Sequence, residues 1–307
     1  MRIALGYGAL LACLLVAPLV VYPVLMMKLL CFALFACAFN LLLGFAGLLS
    51  FGHAAFFGGA AYITGHVIKE WGFPTEIGIL AGALAAAALG FVFGLVAIRR
   101  QGIYFAMITL ALAQMTYFFF VQAPFTHGED GLQAIPRGTL LGMVDLNDNT
   151  SMYYFVLAIF LIGFLLIYRT INSPFGQVLK AIRENEPRAI SLGYDVNRHK
   201  LLAFVLSAGL AGLAGGTKAV VFQLASLTDA HWHMSGEVVL MTLLGGLGTI
   251  LGPALGAVTI ISLQNYLASG PLSAYVPIVM GVIFVVCVLA FRRGIVGELR
   301  ALMKESF

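Results

Sequence analysis

Residues 153–168, YYFVLAIFLIGFLLIY, and 275–291, YVPIVMGVIFVVCVLAF, run without a single charged side chain. A helix needs about 17–25 apolar residues to cross a bilayer, and in hydrocarbon every backbone N–H and C=O must find its partner inside the protein. These runs are continuous and do not alternate, so the crossings they imply are helices and not barrel strands. The rest of the 307 residues is similar in kind: 61% are hydrophobic, 10% are charged and the mean hydropathy is +1.01. Soluble domains are roughly half apolar and a quarter charged. An all-α integral membrane protein is expected.

Cutting at charges and turn residues leaves apolar segments at 4–22, 29–47, 52–68, 77–98, 102–122, 152–168, 201–222, 235–250, 253–269 and 274–291. This predicts a polytopic helix bundle of about 8–10 transmembrane segments. The third, eighth and ninth are short and glycine-rich, the composition of broken or re-entrant helices that line a cavity. Cys13, Cys31, Cys37 and Cys287 all lie in apolar segments without CxxC spacing and read as small buried hydrophobes, with no disulfide or metal framework. Residues 10–13, LLAC, look like a lipoprotein cleavage box, but the apolar run before Cys13 is short and a first transmembrane helix is expected instead.

Lysine and arginine collect on the cytoplasmic side of membrane proteins. With the N-terminus inside, the inner side receives thirteen of the 17 basic residues: Arg2, Arg99, Arg100, Arg169, Lys180, Arg183, Arg188, Arg198, Lys200, Arg292, Arg293, Arg300 and Lys304. The outer side receives Lys28, Lys69, Arg137 and Lys218. Losing one crossing before residue 169 would separate Arg99 and Arg100 from the charged insert that follows, so both termini are expected inside. The connection 123–150 then falls outside. It is acidic, and Gly128, Gly131, Pro136, Gly138 and Gly142 predict a series of turns.

The one long charged passage is 173–200, SPFGQVLKAIRENEPRAISLGYDVNRHK. Ser173 is placed to cap a helix with Pro174 at its first position, and Phe175, Val178, Leu179 and Ile182 form one apolar stripe. Pro187 restarts a helical turn that Gly193 can close in the left-handed conformation, and Asp195 or Asn197 can cap the next membrane helix. A helix this short is marginal alone. It must rest on the bilayer surface, on the protein's own inner face, or in a partner's groove.

FNLLLGFAGLLSFGHAAFFGGAAYITGH (39–66), RQGIYFAMITLALAQM (100–115), the insert, and LLGGLGTILGPALGA (243–257) occur in an order that resembles the LivM-type inner-membrane permeases of bacterial branched-chain amino acid ABC importers, over essentially the whole chain. The resemblance implies a single permease domain over 1–307, with 123–150 periplasmic and 169–200 cytoplasmic. It implies two cytoplasmic ATPase subunits, a second LivH-like permease and a periplasmic substrate-binding protein as partners, with neither cofactor nor nucleic acid. It also implies that the insert houses a coupling helix analogous to the EAA loop of other ABC permeases. Glu186, Ala189 and Gly193 are similar to that motif, though one residue longer in spacing and with Pro187 after the glutamate. On this reading Arg183, Glu184, Glu186 and Arg188 contact the ATPase while Phe175, Val178 and Ile182 anchor the helix, and Gly193 closes it. The apolar face would supply most of the affinity for the partner.

Within GFAGLLSFGHAAFFGG (44–59), small residues admit close helix packing or unwound backbone. Ser50 and His53, three apart, are expected to share a helix face beside Gly52, near the translocation path. Gly248, Gly252 and Gly256 echo Gly47, Gly52 and Gly58, with Pro253 breaking the helix there, and Gly248, Gly252 and Pro253 join the candidate path. His231, Trp232 and His233 read as an interfacial belt in preference to a metal site. THGEDGL (126–132) resembles the family's TGG-type turn with His127 in place of a glycine, which leaves the local backbone open.

No HExxH, GxSxG or paired aspartates indicate an enzyme, and no GxxxxGK[ST] loop supplies ATP hydrolysis. The spans are nearly free of charge, which disfavours an ion-coupled secondary carrier. A passive gate powered from outside, moving branched-chain or other hydrophobic amino acids, is expected. Urea, short amides and aromatic compounds are the alternative cargoes.

Overall fold

The computed structural model describes residues 12, 14–19, 21–140, 142, 144–270, 275–290 and 294–297. Most of the first apolar segment, the Cys13 and Cys287 side chains, and Arg2, Arg292, Arg293, Arg300 and Lys304 lie outside the described residues. The described residues are 79% helical. Among the described residues, five helices are long and apolar enough to cross a membrane: Pro23–Ala46, Thr75–Ala97, Ile103–Gln122, Asn149–Asn172 and Val196–Phe222.

Apart from Lys28 and Asn40, helix α1 (Pro23–Asn40) is apolar on every side, and it is buried along most of its length, the pattern of a helix at the centre of a bundle. It loosens into a π-turn at Leu41–Ala46 and stops at Gly47, whose φ of 73° a side chain would resist. Helices α2 (His53–Lys69), α3 (Thr75–Ala97) and α4 (Ile103–Gln122) follow. On α3, Gly78, Gly82, Ala86, Gly90 and Gly94 recur every four residues and form one stripe. A Cβ on Gly82 would meet the Ala60 carbonyl oxygen at 2.8 Å, so α3 and α2 touch backbone to backbone. The other side of α3, with Ile77, Leu80, Leu84 and Val92, is bare apolar surface suited to lipid.

Helices α5 (Asn149–Asn172), α6 (Pro174–Glu184), α7 (Glu186–Ser191) and α8 (Val196–Phe222) form the second half of the frame. α8 packs on α1, α2 and α3. A Cβ on Gly215 would lie 2.9 Å from the Cα of Phe57 on α2. The chain then makes a short α9 (Leu227–Ala230), α10 (Trp232–Gly245), α11 (Gly252–Ala268) and α12 (Val276–Ala290). The three glycine-rich segments singled out by length are thus short helices of 17, 14 and 17 residues, α2, α10 and α11.

The two long connections lie at opposite ends of α8, whose 27 residues span about 40 Å. At its C-terminal end the 123–147 connection folds over the bundle. There β1 (Leu132–Gln133) pairs antiparallel with β4 (Leu224–Ala225), and β2 (Thr139–Leu140) pairs with β3 (Val144–Asp145). Arg137 donates to the Val221 carbonyl at 2.7 Å. The turns fall at Gly128, Gly131, Gly138 and Gly142, all with positive φ. His127 takes the left-handed conformation itself, φ 59° and ψ 25°, which settles the backbone of the THGEDGL turn. Asp148 caps α5, and the Ser151 backbone N–H bonded to its carboxylate holds it below the usual carboxylate range.

Candidate functional site

The insert at the N-terminal end of α8 is built as its sequence proposes. Ser173 joins α5 to α6 alone: its hydroxyl donates to the Thr170 carbonyl at 2.7 Å and accepts the Gly176 N–H at 3.3 Å. Asn185 caps α7, Gly193 closes it at φ 86°, and Asp195 caps α8. The apolar stripe is covered by the chain itself. Ile182 is 3% exposed, in a cluster with Ala189 and Val196 on which Val178 packs. Leu179 belongs to the main core, and Phe175 packs on it and stacks on His199 at 5.7 Å. The rest of the chain holds the helix.

The charges divide in two. Glu186 pairs with Lys200 at 2.6 Å, and Lys200 is only 3% exposed. Arg183 donates to the Gly44 carbonyl in the π-turn of α1. Both are engaged within the chain. Glu184 and Arg188 remain at the surface, beside exposed Ile190, Leu192 and Tyr194. Those five side chains, and not the α6 stripe, lie on the exposed face of the insert, to which Arg183 and Arg198 also contribute surface.

Above Arg183, two unwound links meet. One is 47–52, between α1 and α2, and the other is 246–251, between α10 and α11. Gly47, which begins the first link, and Gly248, inside the second, have nearly equal φ, 73° and 72°. A Cβ on Gly47 would lie 3.0 Å from the Arg183 side chain, and one on Gly248 would lie 3.2 Å from its Nη1. Asn40 at the end of α1 holds the second link, accepting the Gly248 N–H at 3.1 Å and donating to the Thr249 carbonyl at 2.9 Å. Pro253 sits in the first turn of α11 after Gly252, whose N–H is bonded to the Thr249 hydroxyl at 3.1 Å. A cavity of about 360 Å³, lined by Phe45, Lys180, Arg183, Glu184 and Gly248, opens beside this junction.

Ser50 and His53 do not share a helix face, because α2 begins at His53 and Ser50 lies in the preceding unwound link. The link's polar atoms are satisfied from other elements: Thr109 accepts the Phe51 N–H at 3.1 Å, and Ser235 accepts the Ala54 N–H at 2.9 Å and donates to the Phe51 carbonyl at 2.8 Å. Ser50 accepts the Gly52 N–H at 3.1 Å. Backbone this deep in an apolar protein needs such partners. His53 is fully buried; its Nε2 lies 2.8 Å from the Ser207 hydroxyl, and Phe39, Phe56 and Phe204 surround the ring edge-on.

Toward the other end of the bundle is a group that sequence reading missed. Lys218 on α8 pairs with Asp229 on α9 at 2.5 Å, with the side chains 12% and 4% exposed. Glu237 on α10 accepts from Gln264 at 3.2 Å, and Lys28 on α1 lies within electrostatic range of all three. α9 sits deep: a Cβ on Gly58 of α2 would meet Ala230 backbone at 2.5–2.6 Å. Between α9 and α10 the helix breaks at His231, which is extended and whose ring Nδ1 caps α10. Read linearly, each charge stands near a segment end. The broken 224–245 passage is what gathers them, and its sole local signal is the Ser226 cap, which accepts the Thr228 N–H at 3.3 Å.

A bundle of membrane-length apolar helices, joined by close glycine contacts and carrying one charged helical insert, defines a polytopic membrane protein. Residues 22–288 match the family described as "Branched-chain amino acid transport system / permease component", and the chain belongs to that family. Its members are transport components and not enzymes in themselves. The high-affinity branched-chain amino acid transport system permease protein LivM of Escherichia coli is 28% identical over 245 residues, 72% of this chain and 58% of that protein. The autoinducer 2 import system permease protein LsrC of Klebsiella pneumoniae is 30% identical over 204 residues, 63% of this chain and 55% of that one. The chain thus aligns with less than two thirds of the length of each. PsaBC from Streptococcus pneumoniae, solved in complex with Fab, superposes with a TM-score of 0.44 at 15% identity, covering 90% of this chain and 95% of that one, too distant a likeness to carry an argument.

Proposed function

We propose that the chain is the membrane-spanning permease subunit of an ABC importer, moving branched-chain or other hydrophobic amino acids across the bacterial inner membrane with energy from ATP hydrolysed by partner subunits. Family membership over residues 22–288 carries this reading. The separation of charge supports its orientation. Among the described residues, Arg99, Arg100, Arg169, Lys180, Arg183, Arg188, Arg198 and Lys200 gather at the insert end, against Lys28, Lys69, Arg137 and Lys218 toward the other. The positive-inside rule then makes 169–200 cytoplasmic, 123–150 periplasmic and both termini cytoplasmic, within one permease domain over 1–307.

In this proposal two ATPase subunits serve the assembly from below. One docks on Glu184, Arg188, Ile190, Leu192 and Tyr194, while a second LivH-like permease and a periplasmic binding protein complete the importer. Nucleotide binding favours one of two helix packings. Arg183 and Asn40 carry the displacement from the insert to the 47–52 and 246–251 links, where Ser50, Gly52, His53, Gly248, Gly252 and Pro253 reside. The buried Lys218–Asp229 pair is the observation that favours a second reading, an ion-coupled carrier, since intramembrane charge is commonly kept for that purpose. Uptake into proteoliposomes bearing the assembled complex separates the two. An ABC importer requires ATP inside or outside according to insertion and ignores a proton ionophore. Uptake that persists without ATP and collapses with the ionophore refutes the proposal.

A further inference from the structure

We propose that Lys28, Lys218, Asp229 and Glu237 form a binding station for a zwitterionic amino acid, taking its carboxylate on the lysines and its ammonium on the acids. The inference rests on the permease reading above and names the substrate class of that permease.

Four elements far apart in sequence, α1, α8, α9 and α10, bring two cations and two anions together beneath the outer connection. Each ionisable group at the centre of a membrane helix costs roughly 2.5–3.5 kcal/mol on insertion scales, less toward the interface. A buried ion pair kept only for structure is commonly replaceable by apolar side chains without loss. Structure alone therefore gives no account of Lys28 standing within electrostatic range of a pair already complete at 2.5 Å and of a Glu237 already held by Gln264 and His233.

Charge balance selects the ligand. The two lysines and two acids sum to zero, with the His233 ring 3.8 Å from Glu237 at the exposed edge, and a molecule carrying one positive and one negative end keeps that balance. A lone anion or cation would leave an uncompensated charge in a medium of low dielectric. A second, independent feature points the same way. Tyr62 on α2 is fully buried, its hydroxyl has no hydrogen-bond partner, and it lies within electrostatic range of Asp229 and Tyr117. Such a hydroxyl costs about 1–3 kcal/mol while unmet, and a ligand ammonium or carboxylate at Asp229 supplies its partner. The break at His231 gives this station the discontinuous helix found where transporters hold substrates at membrane depth.

Trp232, five residues before Glu237, provides the readout. The full chain carrying Trp71→Phe is placed in nanodiscs and titrated with leucine, 4-methylpentanoate, 3-methylbutylamine and ribose while Trp232 fluorescence is followed. Leucine is expected to give a saturable change, with the two single-charge analogues and ribose at least tenfold weaker. Asp229→Asn and the paired K218M/D229L, which removes both charges together and so spares the fold an orphan ion, are each expected to weaken leucine at least tenfold. The inference is overturned if leucine gives no saturable change at millimolar concentration, if ribose or a single-charge analogue binds as tightly, or if both variants titrate like the parent. ATP-driven uptake by the assembled complex is scored separately. Uptake that needs ATP without leucine binding here leaves the permease reading intact and removes the station, and uptake independent of ATP removes the permease reading.

Discussion

The stem of Arg183 lies against Gly47 while its guanidinium lies against Gly248 and donates to the Gly44 carbonyl, so one side chain touches both unwound links at once. Arg183→Ala removes a charge-assisted bond of about 1.5–3 kcal/mol. It is expected to leave ATPase subunits bound while uptake falls at least tenfold, as co-purification and transport measured together will show. Arg188→Glu, at the free face, is expected to do the reverse and weaken co-purification first. Glu186→Ala strands the Lys200 ammonium, which is 3% exposed, and should cost up to about 3 kcal/mol, the lower bound for a broken buried pair, measured as a loss of thermal stability. Sequence assigned Arg183, Glu184, Glu186 and Arg188 alike to a partner because nothing local separates Arg183 from Arg188. The difference is set by Gly44, 139 residues away, and by Lys200 on the next helix.

At the scale of elements, the insert was legible wherever a neighbour in sequence fixes it: the Ser173, Asp195 and Gly193 devices all depend on contacts within three residues or so. What covers the stripe was not legible, since Ala189 and Val196 meet Ile182 only after the chain folds back. Ile182→Asp therefore buries an unpaired carboxylate and is expected to unfold the α6–α7 hairpin, making residues 173–195 sensitive to protease even in the absence of any partner. Close contact between α2 and α8 is a second element-scale property. Gly215→Val places methyl groups into the Phe57 backbone, and overpacking of that kind costs about 1–3 kcal/mol. A thermal midpoint lowered relative to Gly281→Val, where no atom lies within 4 Å of the added Cβ, is the expected outcome. The glycine spacing was visible in the sequence, but its meaning, packing on α3 and unwinding at Gly47 and Gly248, required the partners.

Over the whole molecule, the two ends of the bundle differ in sign as well as in shape. The insert end holds eight basic residues against Glu184, Glu186 and Asp195, and the opposite end holds four against Glu70, Glu76, Glu129, Asp130, Asp145, Asp148, Asp229 and Glu237, among the described residues. That partition could be derived from segment order because alternation across a membrane is a counting argument. The gathering of Lys28, Lys218, Asp229 and Glu237 could not, because it depends on how deep α9 is set against Gly58. The central claim is that the insert faces the cytoplasm and receives the ATPase there. It is tested by Leu192→Cys, at a position 67% exposed, in a chain whose four native cysteines are replaced. A membrane-impermeant maleimide should label this cysteine in inverted vesicles stripped of ATPase subunits, fail to label it in intact spheroplasts, and label it poorly once those subunits are restored. Labelling in intact spheroplasts would contradict the account.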